Sequence, residues 1–408
     1  MIGSSLARVS AVGLAAATAL LAGPVPAGSA SAARPHATAS GWRLFATVAQ
    51  RGESVLLDTI DAVGPADAWA AGLIGGPKEQ HQHALLVHWN GMAWRRVALP
   101  GPAAARLGVN VGFVFAAARS DRDVWVVSQN GRYLRLRWGT WTEGRVPLPR
   151  KQTTFMDQAL DFGPDDVWVF GLRFVGPVTR LDLRPYAVRF NGRAWVSVPV
   201  PGQGALDVSA VSARDMWALT GTKIPGSGIR ATPRVLRWNG SAWRVVKTQP
   251  ALPRFATLDG ILARSPASVW IGGSRSNRKT GSSELARHWN GTSWVQVNPP
   301  ARPSEQDIYL QSMVPDGSGG VWALTGSLGS ADPGPAEVWH YARGAWSGPQ
   351  PVSPRWLLFG LAWVPRTRSV WGVAGSPGLV KGLIVVHGPV PGWTGASVDP
   401  CLGNAVPR

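Results

Sequence analysis

A motif that returns seven times limits what this chain can fold into. In its clearest copy, Asp215-Met216-Trp217 is followed by Trp238-Asn239-Gly240-Ser241-Ala242-Trp243. The first tryptophan of each copy is Trp69, Trp125, Trp168, Trp217, Trp270, Trp322 and Trp371. The second is Trp94, Trp141, Trp195, Trp243, Trp294, Trp346 and Trp393. Successive first tryptophans stand 56, 43, 49, 53, 52 and 49 residues apart. A period of this size marks a repeat architecture in which each unit buries its apolar face only against its neighbours.

The residues between the tryptophans say what the unit is. In the first full copy, Val55 to Val63 is apolar and β-prone, and Gly64-Pro65-Ala66-Asp67 is a turn. Ala68 to Leu73 and Ala84 to Trp89 are further strands, and Asn90-Gly91 is a strong hairpin signal. Ala93 to Leu99 is a fourth strand, stopped by Pro100. Four short strands joined by turns form an antiparallel meander. The order recurs near 110–149, 155–200, 205–247, 257–298, 308–350 and 357–395. Helical solenoids are excluded, because Gly and Pro cut most segments below helix length. The reading is all-β: a seven-bladed β-propeller of four-stranded antiparallel blades over residues 42–398.

Ring closure has two candidates. Trp42 to Val48 looks like the fourth strand of a blade whose earlier strands lie elsewhere, and would complete the last blade from the N-terminal side. Trp393 to Val398 competes, but Pro389 and Pro391 disrupt its approach. In blade two, Leu134, Leu136 and Trp138 share one side, with Tyr133, Arg135 and Arg137 on the other. The repeated tryptophans are expected to fill the space between blades, each with a partner for its indole N–H. The Asp of the first motif (Asp67, Asp123, Asp166, Asp215) gives way to Ser268, Gly320 and Ser369, which suits a tight turn.

Residues 1–32 read as a secretory signal: Arg8, an apolar run from Val9 to Gly23, and an Ala30-Ser31-Ala32 cleavage site. A membrane anchor is the other reading, disfavoured because the run is shorter than the ~20 residues of a spanning helix. No later segment is long and apolar enough to span a membrane. Residues 33–41 read as a disordered leader and 399–408 as a tail. Cys401 is the only cysteine, so no intramolecular disulfide is available. A secreted, extracellular monomer that rests on its core is expected. The net charge of +18 favours acidic surfaces or polymers. Net charge alone does not make a specific nucleic-acid binder.

Three constellations bear on chemistry. A basic residue ends the third strand of every copy: His88, Arg137, Arg189, Arg237, His288, His340 and His387. Repetition in all seven favours a structural side chain over a ring of anion contacts. Near the start of the innermost strand stand Asp58, Asp157, Asp207, Asp259 and Gln311. Carboxylates gathered at a channel mouth would serve glycoside hydrolysis or hold Ca²⁺, or each simply caps a turn. The third is the face of longer loops, with Lys78, Arg173, Arg230, Arg275 and Arg278 among its basic residues. His81 and His83 lack a third metal ligand, and no GxSxG, P-loop, GxGxxG or HExxH motif is present.

The repeat, written D-x-W then H/R-W-N-G-x-x-W, resembles the Trp-rich β-propeller proteins secreted by actinobacteria and related bacteria. It is more distantly similar to kelch-type and galactose-oxidase-like propellers and to bacterial seven-bladed lectins. It lacks the Gly-Gly pair of kelch repeats, the signatures of WD repeats and the Asp boxes of sialidases. With four tyrosines and a tail cysteine, galactose-oxidase copper chemistry is not expected. The resemblance implies fold and secretion and says little about a ligand. The expectation is a non-enzymatic binding module for a carbohydrate (an anionic or neutral polysaccharide) or a protein partner at the cell envelope or outside the cell. Lys78, Arg173, Arg230, Arg275, Arg278 and Gln311 would make contacts, without cofactor or metal. The alternatives are a glycoside-active enzyme using Asp58, Asp157, Asp207 or Asp259, and a structural scaffold.

Overall fold

The computed structural model describes residues 41–76, 82–109, 111–150, 152–176, 182–204, 206–221, 232–277, 281–302, 307–328, 336–353 and 356–390. These form seven four-stranded antiparallel sheets, the blades of a seven-bladed β-propeller. Blade one runs through Ser54–Gly64, Asp67–Gly75, Gln82–Trp89 and Trp94–Arg96 in spatial order. Its fourth strand is three residues long, shorter than the run from Ala93 to Leu99. An outer edge this short offers little template for pairing with another chain. Past Pro100, Gly101–Gly108 forms a helix. Pro102 near its start and the run Ala103-Ala104-Ala105-Arg106-Leu107 explain it, since Pro suits a first turn and these residues are good helix formers. The β-repeat reading passes over that segment.

The ring closes with the N-terminal strand. Trp42–Val48 pairs antiparallel with Gly382–His387, so the last sheet takes its outer strand from the opposite end of the chain. In blade one, the second tryptophan Trp94 stands opposite Trp89. In blade seven, Trp42 stands opposite His387 in the same way. Trp42 therefore holds the place assigned to Trp393, which lies outside the described residues.

Seven apolar clusters fill the space between blades. Each joins a first tryptophan to the second tryptophan of the next blade: Trp69 with Trp141, Trp125 with Trp195, Trp168 with Trp243, Trp217 with Trp294 and Trp270 with Trp346. Trp371 meets Trp94, and Trp322 meets Trp42. Many of these rings meet edge to face, as Trp125 does with Trp195 at 5.6 Å between centroids. That geometry suits the aromatic quadrupole. The expected indole hydrogen bonds form at Trp168, to Asp166, and at Trp294 and Trp346, to the carbonyls of Thr248 and Val297, and also at a different set of tryptophans. Trp89, Trp238 and Trp289, which precede the Asn-Gly turns, donate to the carbonyls of Pro65, Ala213 and Pro266. Among the described residues, the N–H groups of Trp69, Trp125, Trp217, Trp270 and Trp371 have no such acceptor. Their rings lie between aromatic or cationic neighbours instead.

Side chains also satisfy the edges of the innermost strands. Three alternate N–H groups of blade two, at Val114, Ala116 and Ala118, donate to Asp58, Thr59 and Asp61 of blade one. Gln158 of blade three grips both the N–H and the carbonyl of Val208 in blade four. Ser209 of blade four accepts from Ala263 N–H in blade five. An inner strand pairs with its own sheet on one side only, so these bonds complete its backbone hydrogen bonding.

Candidate functional site

The basic residues of the third strands belong to the framework. His88, His288 and His340 stack on Trp69, Trp270 and Trp322 with centroids 4.0, 4.3 and 4.1 Å apart. Arg189 and Arg237 lie over Trp168 and Trp217. Each Arg also forms a two-pronged bond to the motif Asp: Arg189 to Asp166 and Arg237 to Asp215. His88 lies 2.8 Å from Asp67, and His288 lies 3.1 Å from Ser268. The motif Asp is thus the acceptor that aims a cation or imidazole onto the tryptophan. Where Gly320 replaces it, Asp316 reaches His340 from four residues upstream. Burial alone would raise the Asp316 pKa. The N–H groups of Ser318 and Gly320, the Ser318 hydroxyl and His340 outweigh it and hold it near 2.

Two positions of this series need correction. In blade two the partner of Trp125 is Arg135, not Arg137: Arg135 stands opposite Trp125 and bonds Asp123 with both prongs. Leu136 stands opposite Trp141 there as Trp89 stands opposite Trp94 in blade one, so Trp138 is not the counterpart of Trp89 and the basic residue lies six before the second tryptophan in both blades. In blade seven, Val386 stands opposite Trp371, and His387 occupies the following position. His387 packs instead against Trp42 and Trp322. Burial lowers its pKa, with His340 and Arg43 adding to the effect.

The carboxylates of the innermost strands belong to four different blades. Asp58, Asp157 and Asp259 each sit at a one-residue β-bulge and are 5%, 4% and 0% exposed. Asp58 accepts the Val114 N–H of the next blade, and Asp259 accepts the Thr257 hydroxyl at 2.6 Å. Asp207 is no counterpart of these three. It stands opposite Leu219 without a bulge, the register that Thr59 holds in blade one. Gln311 is buried at a wider bulge in blade six, with its carbonyl against Gly260 of blade five.

A further pattern went unread in the sequence. Three residues past the first tryptophan, blades one, three and five carry Gly72, Gly171 and Gly273. Blades two, four and six carry Ser128, Thr220 and Thr325. A Cβ on those glycines would stand 1.9, 2.0 and 2.0 Å from the carbonyl oxygens of Leu56, Phe155 and Thr257. In these three blades the glycine gives room to the bulge on which the Asp sits; blade seven, with Phe359 in its bulge, has Ala374 at that place.

The loop face collects a different chemistry. Arg173 and Arg184 stand directly opposite one another across blade three. Arg184 bonds Asp182 at 2.6 Å. The buried Nε of Arg173 has no hydrogen-bond partner among the described residues. Arg234 begins the third strand of blade four and is exposed. Arg275, in blade five, donates to the Ser283 hydroxyl. Lys78, Arg230 and Arg278 lie outside the described residues. Between blades five and six, Arg302 bridges the buried Glu284 and Glu337 at 2.6 and 2.5 Å. Burial pulls the Arg302 pKa down, but its bonds to both carboxylates outweigh this and raise it. Trp339 N–H also donates to Glu284. Among the described residues, no three His, Cys, Asp or Glu side chains are grouped to hold a metal ion, and no helix is long and apolar enough to cross a membrane.

No family model matches the chain, and no curated protein matches it in sequence. Among solved structures, YCF48 bound to a D1 peptide superposes with a TM-score of 0.54 at 11% identity, covering 86% of this chain and 97% of that one. YCF48 from Cyanidioschyzon merolae gives 0.53 at 14% identity, covering 86% and 99%. The fucose-specific lectin from Aleuria aurantia gives 0.38 at 11% identity, covering 74% and 96%, too loose a match to argue from. At these identities the shared property is the propeller fold.

Proposed function

We propose that the protein is a secreted, non-enzymatic binding module whose loop face takes an anionic partner, an acidic polysaccharide or an acidic protein segment, at the cell envelope or outside the cell. The observation that carries this reading is the cross-strand pair Arg173–Arg184. Like charges directly opposite on a sheet destabilise it; Asp182 compensates Arg184, whereas Arg173 has no ion pair among the described residues, and an anion placed against Arg173 would relieve the repulsion. Arg234 and Arg275 extend the same chemistry into the next two blades. A charge of +18 favours encounter with such a partner. YCF48, a propeller that holds a peptide, is a precedent for the fold in this role. The enzymatic alternative loses support from the burial of Asp58, Asp157 and Asp259 in separate bulges.

The test uses the chain without residues 1–32, titrated with an acidic polysaccharide and an acidic peptide. Binding that weakens with salt, and by roughly tenfold in Arg173→Ala/Arg275→Ala, is expected. Hydrolysis of the polysaccharide that disappears in Asp157→Asn or Asp207→Asn would replace this reading with the enzymatic one.

A further inference from the structure

Trp138 departs from the pattern of the other tryptophans. It is 70% exposed, and it is the one exposed tryptophan among the described residues. It sits at the tip of the hairpin between Arg132–Arg137 and Thr140–Arg145 in blade two, on the face opposite the long loops. Its φ is +51°, followed by +81° at Gly139. A two-residue turn of this kind wants Asn or Gly at its first position. A bulky ring in the left-handed region is an outlier, and outliers of this sort concentrate at functional sites. Trp138 fills no gap between blades, so core packing does not explain it.

Its surroundings are cationic. The Arg122 guanidinium lies over the ring, 6.0 Å from the centroid. The Trp138 backbone amide donates to the Arg122 carbonyl at 3.0 Å, which ties the two turns of the blade together. Arg119 and Arg137, on the same turns, are exposed as well. Among the described residues neither Arg122 nor Arg137 is in an ion pair. The nearby acidic groups are Asp121, which is exposed, and Asp161, whose charge acts on Arg119 across the blade boundary.

We infer that Trp138, with Arg119, Arg122 and Arg137, is a binding site for an acidic sugar residue, separate from the loop face. An indole face suits the C–H face of a pyranose ring. A guanidinium fork suits a carboxylate or sulfate on that ring. A single ring among three guanidinia is a poor wedge for a bilayer, where interfacial anchoring needs a larger apolar face.

The experiment titrates the chain without residues 1–32 by calorimetry. The probes are a trigalacturonate, a sulfated disaccharide and, as control, the neutral maltotriose. Saturable binding of one or both acidic probes is expected, with none to maltotriose. Which of the two binds identifies carboxylate or sulfate as the recognised group. Trp138→Asn installs a residue that tolerates the left-handed conformation of this turn. It should melt at or above the parent temperature and yet bind roughly tenfold or more weakly. Arg122→Ala/Arg137→Ala should lose binding similarly. Arg244→Ala, which removes an exposed charge from the fourth strand of blade four, should leave it unchanged, which excludes a non-specific charge effect. Three results would overturn the inference: no binding of either acidic probe, unchanged affinity in Trp138→Asn, or a Trp138→Asn protein that melts well below the parent. Binding to phosphatidylglycerol vesicles in place of the oligosaccharides would assign the patch to a membrane surface instead.

Discussion

The ring of Trp42 meets that of Trp322 edge to face, with centroids 5.7 Å apart and planes at 83°. One belongs to the first described strand of the chain and the other to blade six. Their contact is the seventh copy of a joint that the other six blade boundaries make from tryptophans of consecutive repeats. The closure therefore rests on the same aromatic packing as the remainder of the ring.

Removal of that joint should cost as much as removal of any other. Trp42→Ala and Trp217→Ala are each expected to lower stability by ~3–5 kcal/mol, the usual range for a large aromatic truncated in a core. Thermal or denaturant melts check this. An unchanged melt for Trp42→Ala would mean that the N-terminal strand does not close the ring.

Gly171→Ala and Gly273→Ala should each destabilise by about 2–3 kcal/mol, because the new Cβ runs into a backbone carbonyl that is fixed by the bulge. Gly139→Ala provides a contrast. Its Cβ would meet open space, and only its positive φ opposes the change, at about 1 kcal/mol.

Arg302→Ala should be among the costliest single changes near the surface. It leaves Glu284, 1% exposed, without its cation, and an uncompensated buried charge costs about 3–5 kcal/mol. Adding Glu284→Leu to it should recover much of the loss, since an apolar replacement removes the orphaned charge. A double-mutant cycle on urea midpoints measures both.

Asp161 should make the protein less stable as pH rises. Burial, and then the charge of Asp123, raise its pKa from 3.8 to about 7, against the Gly163 N–H and the charges of Arg135 and Arg119. Between these values the folded state keeps a proton that the unfolded chain has released, so stability falls with rising pH and the penalty is complete above about 7. Asp161→Asn should therefore stabilise the protein at pH 8, on the order of 1 kcal/mol after allowance for solvent screening. The gain should vanish near pH 4. Melts of both proteins across this range decide the matter.

The fold could be read because it is written in a period. Each blade repeats the same strand lengths, turns and large apolar side chains, so local pattern and global architecture agree. The site was less legible. Counting along the chain placed Arg137 and His387 in the basic series, whereas the register puts Arg135 and Val386 opposite the tryptophans. In blade two Trp138 sits in the turn itself, and Leu136 takes the place that Trp89 holds in blade one, so counting from the wrong tryptophan shifts the series by two. Asp207 was grouped with Asp58, Asp157 and Asp259 by counting as well. A bulge adds one residue to a strand, and the glycine that gives it room lies on the neighbouring strand. Trp138 was counted with the apolar face of its strand, and its exposure follows from a turn that begins one residue earlier than the alternation suggests.

Sequence alone determined the number of blades, their antiparallel strand order and the use of tryptophan as the recurring large side chain. These follow from short-range pattern, which every copy states again. Tertiary structure decided which tryptophan completes each joint, that Trp42 fills the seventh, and that the motif Asp orients a stacked base. It also decided that Trp138 alone among the described tryptophans faces solvent. Those facts depend on register across strands and on contacts between blades. Register shifts by whole residues at bulges, and a shift of one residue moves a side chain to the opposite face of its strand.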